Sequence, residues 1–252
     1  MNNESLPTTP EPELIALGPD EPFRFECGPG IACFNQCCQD LNQALTPYDI
    51  LQLRTYLKLT WEQLQERHVA LFTGPATGLP VATLRFAARQ GRHCPFVTAQ
   101  GCSVYPARPT SCRLYPVARA IQRSRADGRI SEHFALLKEA HCRGFERGPT
   151  QTARQWIQSQ GAQDGLAAGD QMMTLIALKN RLRPGSLAPE QQQWAVMAFY
   201  DLDRLKAQAA DARLPAMHAK VLKPLPDMHD DRRWLTWAMT WLRRALFGEQ
   251  AA

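Results

Sequence analysis

Eight cysteines are the residues most able to do chemistry in this 252-residue chain, and all of them fall within its first 142 positions. Cys27, Cys33, Cys37 and Cys38 lie within twelve positions, Cys94, Cys102 and Cys112 within nineteen, and Cys142 closes the set. The last 110 residues contain none. Cysteines that serve only as small core hydrophobes would not segregate in this way. A thiolate is a strong, soft metal ligand, and short loops let one ion collect several thiolates at little entropic cost. The pattern points to a cysteine-ligated metal or iron–sulfur site, with the eight sulfurs converging into one or two compact sites that include at least one set of four. Histidines precede two of the cysteines, His93 before Cys94 and His141 before Cys142. Each could be a ligand or a donor to a sulfur, though a lone histidine is more often structural. Arg108 and Arg113 flank Cys112 and could offset negative charge or bind a carboxylate, with ion pairing to Asp40 or Asp49 as the plainer reading.

An even number of cysteines also suits a disulfide framework, but such frameworks belong mostly to short secreted domains. A chain of this length buries a core without staples. Residues 1–20 carry acidic residues and four prolines, with no basic start and no apolar run of signal-peptide length. No stretch approaches the roughly 20 apolar residues that a membrane helix needs. The expectation is a cytoplasmic protein with reduced thiols and no membrane association. The formal charge of +5 counts every cysteine as neutral. Four thiolates around a divalent ion carry about −2, so two such sites would bring the total close to neutral. The four arginines between Arg119 and Arg129 read as a solvated loop, and nothing suggests nucleic-acid binding.

The elements that would position the cysteines follow from local signals. Residues 1–20 read as a disordered lead-in. Gly28, Pro29 and Gly30 make the first cysteine group a loop. Thr46, Pro47 and Asp49 start a helix whose apolar face is Ile50, Leu53 and Leu57. Thr60 starts a second helix, with Gln63 as capping-box partner, expected to run to the break at 74–80. Residues 79–86 alternate as a strand, and the segments around Val97 and Ser103 flank a short turn, predicting a hairpin that carries Cys94 and Cys102. From about 150 the pattern is helical, with segments around Trp156, over 172–182, over 189–212, and from Asp230 onward. Trp234, Trp237 and Trp241 share one face of the last helix, which predicts core packing rather than an aromatic binding platform. The fold class is α+β and mostly helical: a loop-rich cysteine-cluster core with a short hairpin, followed by a helical C-terminal layer. The divisions are a lead-in over 1–20, a metal-binding domain over 21–148 and a helical region over 149–252.

Phe25-Glu26-Cys27, Cys33, Cys37-Cys38 and Thr46-Pro47-Tyr48-Asp49-Ile50, taken together, resemble the YkgJ-type cysteine-cluster family. So do Cys94-Pro95-Phe96, Gly101-Cys102, Tyr105 and Arg108-Pro109 through Cys112-Arg113-Leu114-Tyr115-Pro116. The resemblance spans roughly residues 23–147 and takes in all eight cysteines in order. It departs from the family pattern in one respect: the gaps before the cysteine pair are five and three residues rather than two and two. Members are described as chelating zinc or iron, and the flagellin lysine N-methylase is among them. The resemblance therefore implies metal ligation by Cys27, Cys33, Cys37, Cys38, Cys94, Cys102, Cys112 and Cys142. It favours a [4Fe–4S] cluster over zinc, because that methylase is reported to pair such a cluster with S-adenosylmethionine. S-adenosylmethionine comes in by analogy alone, since the chain has no GxGxxG or P-loop pattern. The expected function is redox, metal-handling or methyl-transfer chemistry at the metal or cluster, acting on a protein substrate or partner. The alternative is a non-enzymatic, zinc-stapled interaction module that docks through its helical tail. Whether the protein is an enzyme is left open by these residues.

Overall fold

The computed structural model describes residues 12–39, 43–86, 93–123, 129–217 and 222–248. Asp40 lies outside them, as do residues 1–11 of the expected lead-in. Strand β1 (Glu13–Leu17) stands inside the stretch read as disordered, because it gains a partner far along the chain. Strand β2 (Phe23–Arg24) leads into the first cysteine loop, which ends in a 3-10 turn over Gln36–Cys38. Strand β3 (Ala44–Leu45) precedes helix α1 (Pro47–Leu57), where Thr46 and Asp49 form the expected capping box with Pro47 at the first position. Helix α2 (Trp61–His68) has the Thr60–Gln63 box but stops short of the predicted end. Val69 begins strand β4 (Val69–Thr73) instead, which hairpins onto β5 (Pro80–Leu84). Pairing along this apolar run satisfies its backbone groups, and tertiary partners here override helix propensity.

The predicted hairpin is present as β6 (Val97–Thr98) and β7 (Gly101–Cys102). A short helix α3 (Thr110–Leu114) then carries Cys112. Strands β8 (Val117–Arg123) and β9 (Ile130–Lys138) pair antiparallel, and β1 completes the sheet in the order β1-β9-β8. The arginine-bearing stretch thus begins as a strand rather than a loop. Arg119 is largely buried and makes a bidentate pair with Asp170 at 2.8 and 2.9 Å. Beyond β10 (Thr150–Gln151), which pairs with β2, the chain is helical: α4 (Ala153–Ser159), α5 (Gln163–Leu182), α6 (Pro189–Phe199), α7 (Leu202–Ala210) and α8 (Asp231–Phe247). The single helix expected over 189–212 is broken at Tyr200. The Asp201 carboxylate accepts the Arg204 N–H at 3.2 Å and starts α7 afresh. The Tyr200 hydroxyl is drawn into β5, taking the Ala82 N–H at 3.2 Å and donating to the Pro80 carbonyl at 3.1 Å.

Two apolar cores hold these elements. The larger joins α1, α2 and β5 to the helices from α5 onward, through Leu53, Leu64, Leu79, Leu205, Trp234 and Trp241 among others. All three tryptophans of α8 are buried, and each indole N–H donates to a backbone carbonyl, of Asp227, Leu222 and Pro215 respectively. The helical tail is therefore a layer packed on the cysteine half. The smaller core gathers Leu17, Phe23, Phe25, Val117, Phe134 and Trp156, so α4 packs with the cysteine half as well.

The Asp49 carboxylate links the helix that starts the larger core to the segment that carries Cys112. One oxygen accepts the Thr46 N–H and hydroxyl at 2.9 and 2.8 Å. The other accepts the Thr110 N–H and hydroxyl at 2.8 and 2.7 Å. Gly165 of α5 packs so closely here that a Cβ would lie 2.1 Å from the Thr110 hydroxyl oxygen. Asp49→Ala would leave buried donors without partners, and we expect a stability loss of about 2–4 kcal/mol, read from denaturant midpoints. An unchanged midpoint would show that the cap is dispensable.

Candidate metal centre

Local packing brings the cysteine loops together from four separate parts of the chain. Phe25 anchors the first: its ring meets those of Tyr115, Phe145 and Trp156 edge-on, at centroid distances of 5.9, 5.2 and 5.4 Å. The Glu26 N–H donates to the Gly144 carbonyl at 3.1 Å, which sets Cys27 against the turn that carries Cys142. Only glycine fits at 144, since a Cβ would stand 2.5 Å from Cε2 of Phe25 and 2.6 Å from the Glu26 carbonyl oxygen. The Arg143 N–H donates to Cys33 Sγ at 3.1 Å, joining Cys33 to the same turn. On the other side, the Cys94 N–H donates to the Cys38 carbonyl at 2.8 Å, and Val97 pairs with Cys102 across the hairpin. The Cys112 thiol faces Gln43, with Sγ 3.7 Å from Oε1.

All eight cysteines are free thiols. Cys27 and Cys112 are exposed and the other six are half-buried. Burial, then the nearby sulfurs of Cys37, Cys33 and Cys142, push the Cys27 thiol up to about 11. Burial and then Cys94 and Cys102 push Cys112 up to about 12. Although both residues reach solvent, enough protein crowds their sulfurs for desolvation to dominate. Cys37 is raised further still, first by its hydrogen bond with Cys38 and then by burial. Burial also raises Cys94, Cys102 and Cys142. Sulfurs so placed cannot all ionise beside one another without a cation. Among the described residues, no three cysteine, histidine, aspartate or glutamate side chains already stand close enough to hold an ion. The expected convergence is thus seen as neighbourhoods of thiols and not as a closed quartet of sulfurs.

The donor set fits zinc or iron. Eight soft sulfur donors, none spent in a disulfide, are carried on neighbouring loops. A buried hydroxyl adds to the fit. Buried Tyr115 Oη makes no hydrogen bond of good geometry, although Cys142 and Glu139 both lie near it. Burial raises its pKa first and those two neighbours raise it further, so the hydroxyl keeps its proton. An O–H in that position could donate to a metal-bound Cys142 sulfur.

The flanking residues resolve differently. Arg108 and Arg113 pair with no carboxylate among the described residues, and Asp49 is committed to its caps instead. Arg108 donates to the Tyr105 carbonyl at 2.9 Å and to Gln160 Oε1 at 2.7 Å, and stacks over the Tyr105 ring. Arg113 donates to the carbonyls of Arg108, Gln160 and Pro106. Two positive charges therefore lie in the cysteine layer with neutral partners, as balance for thiolates would require. His93 joins Gln39 by a backbone bridge and lines an open cavity of about 390 Å³ with Asn35, Thr98 and Cys94. His141 Nε2 lies 3.6 Å from a Glu139 oxygen. Gln43, Glu139 and Gly144 carry no sequence signal that marks them for this site. Tyr115 had one, its place in the run from Arg108 to Pro116.

The Gly144 contacts generate a direct test. Gly144→Ala should cost about 1–3 kcal/mol, as overpacking does. It should also speed alkylation of Cys27 and Cys142, measured by mass spectrometry, while Cys94 and Cys102 react as before.

Residues 26–150 match the family CxxCxxCC, described as "Putative zinc- or iron-chelating domain". No curated protein and no solved structure matches the chain. The matched span begins one residue before Cys27 and ends eight after Cys142, so it encloses the whole thiol assembly just described. The cysteine-bearing half of this chain belongs to the CxxCxxCC family of zinc- or iron-chelating domains.

Proposed function

We propose that the protein is a metalloprotein whose working part is a thiolate-held zinc or iron centre, with Cys27, Cys33, Cys37, Cys38, Cys94, Cys102, Cys112 and Cys142 as the ligands. The observation that carries this reading is that four separate segments bring eight free thiols into neighbouring loops, beside two arginines that have no acidic partner among the described residues. An iron–sulfur cluster is the form we favour, on the strength of the family resemblance. When bound, iron would supply one-electron chemistry and zinc a structural staple or a Lewis acid. The chain's own residues would hold the thiolates in place, donate to a sulfur from Tyr115 and offset charge through Arg108 and Arg113. The cavity beside Cys94 is where a substrate or partner group would reach the centre, whether for redox, metal-handling or methyl-transfer chemistry. A reducing compartment, the cytoplasm, suits unpaired thiols. Among the described residues, no helix is long and apolar enough to cross a membrane. The zinc-stapled docking module finds less support, because the aromatic face of α8 is consumed in the core.

Purification without oxygen, followed by metal analysis and a visible spectrum, tests the proposal. A brown protein with iron and sulfide supports the cluster; a colourless one with zinc supports the zinc form; a chain with no bound metal overturns the reading. Metal affinity should also fall steeply with acid. Burial pushes the metal-free thiols of Cys27 and Cys112 up to about 11 and about 12, so at neutral pH these two are protonated. Metal must displace those protons, and each proton released makes the apparent affinity rise with pH. Competition with a chelator at pH 6 and pH 8 should show much tighter binding at the higher value. Equal affinity at both would mean that the thiols are not the ligands.

A further inference from the structure

We propose that the groove between α5 and α8, beside the first turn of α1, binds a small aliphatic α-amino acid. The carboxylate of the ligand meets Arg232, its ammonium meets Asp164, and its side chain lies along an apolar floor. No cysteine lines this groove, and the inference is independent of the metal-binding reading above.

The groove follows from matched spacing on two helices. Asp164, Ala167 and Ala168 share one face of α5, as Arg232, Leu235 and Met239 do on α8. The two helices pack side by side, and Asp164 meets Arg232 in the first turn of each, so they run in the same direction. Arg232 to Met239 is a rise of about 10 Å along α8. Alanine at both middle positions of α5 leaves room opposite, and the result is an open cavity of about 210 Å³. Leu235 and Met239 are buried beneath it, as is Pro47 of α1. The space is smaller than the roughly 300 Å³ at which pockets for drug-sized ligands begin, so its ligand is small.

One end of the groove carries a group of each sign. The Arg232 guanidinium donates to an Asp164 oxygen at 2.7 Å and to the Tyr48 hydroxyl at 3.4 Å, with its carbon 5.8 Å from the centroid of the Tyr48 ring. Burial raises the Tyr48 pKa, so the hydroxyl keeps its proton, and among the described residues no acceptor takes it. The Gln171 amide, which also lines the groove, has no hydrogen bond among the described residues. An ion pair that served only to clip α5 to α8 would need neither a cavity below it nor unused donors around it. Both charged side chains are more than half exposed, so water already weakens their attraction and a ligand parts them at little cost. A lone anion would face the Asp164 carboxylate, and a lone cation would face the Arg232 guanidinium. A zwitterion satisfies both at once, and an α-amino acid holds its two charges as close together as this pair does. The Tyr48 proton gives the ligand carboxylate a further donor. An aliphatic side chain then runs from the charges over Leu235 toward Met239, where burial of apolar surface adds affinity.

Calorimetric titration of the full-length native chain with L-leucine tests the site. Glycine, isocaproate and isoamylamine are the comparison probes, lacking the side chain, the ammonium and the carboxylate in turn. Leucine should bind saturably, and each of the other three should bind about tenfold more weakly or worse, as loss of a charged contact or of the buried chain implies. Arg232→Gln and Asp164→Asn should each weaken leucine binding by about tenfold and leave the metal content unchanged. Circular dichroism checks that these variants fold, and the probe series on the native chain decides the matter if they do not. No saturable heat with leucine into the millimolar range would overturn the proposal. So would isocaproate binding as tightly as leucine, which would mark a plain carboxylate site, or leucine affinity unchanged in both folded variants. Metal analysis of the same samples reads the metal-binding proposal separately.

Discussion

Crowded thiols set the terms for the rest of this structure. Each sulfur that ionises makes ionisation of its neighbours harder, and partial burial adds a desolvation cost to the same step. The raised Cys27 and Cys112 thiols express both effects, with burial as the larger. While they remain reduced, such groups held together either stay protonated or share a cation that takes up the charge. A fold that needed only packing would have no reason to concentrate them in this way. The two arginines bound to carbonyls and an amide rather than to carboxylates belong to the same economy of charge.

Everything around the thiols serves to hold short, irregular segments in register. The cysteine segments contain two-residue strands, 3-10 turns and the five-residue helix α3, which contribute little stability of their own. Their order is borrowed. Phe25 fastens the first loop into an aromatic cluster with Tyr115, Phe145 and Trp156. Gly144 allows backbone to lie against backbone where any side chain would intrude. Asp49 carries the position of α1, which is buried against the helical layer, to the start of α3 and so to Cys112. The C-terminal helices thus bear on the site, although they contain no cysteine: they fix the face of α1 from which it is built.

The local signals that held in the structure were those with complete chemistry within a few residues. The capping boxes at Thr46 and Thr60 and the turn of the Val97–Cys102 hairpin depend on neighbours in sequence, and the structure has them. Where an element needed a distant partner, the local pattern misled. Val69–Thr73 reads as the end of a helix until β5 is available to pair with it. Glu13–Leu17 and the strand beginning at Val117 have no local mark of pairing, and they meet only through β9. Tyr200 continues an apolar helix pattern, but its hydroxyl has a better use between the backbone groups of Pro80 and Ala82.

For the site, the sequence alone determined the type and the number of soft donors on offer. Eight cysteines at clustered spacings define soft-metal chemistry wherever the chain places them. Tertiary structure alone decided which sulfurs are neighbours. Cys142 lies more than a hundred positions from Cys27 and Cys33, yet one turn stitched by the Gly144 carbonyl and the Arg143 N–H makes it their companion. Spacing along a chain measures the entropy of closing a loop, whereas proximity across a fold is set by backbone hydrogen bonds and packed rings that no spacing encodes.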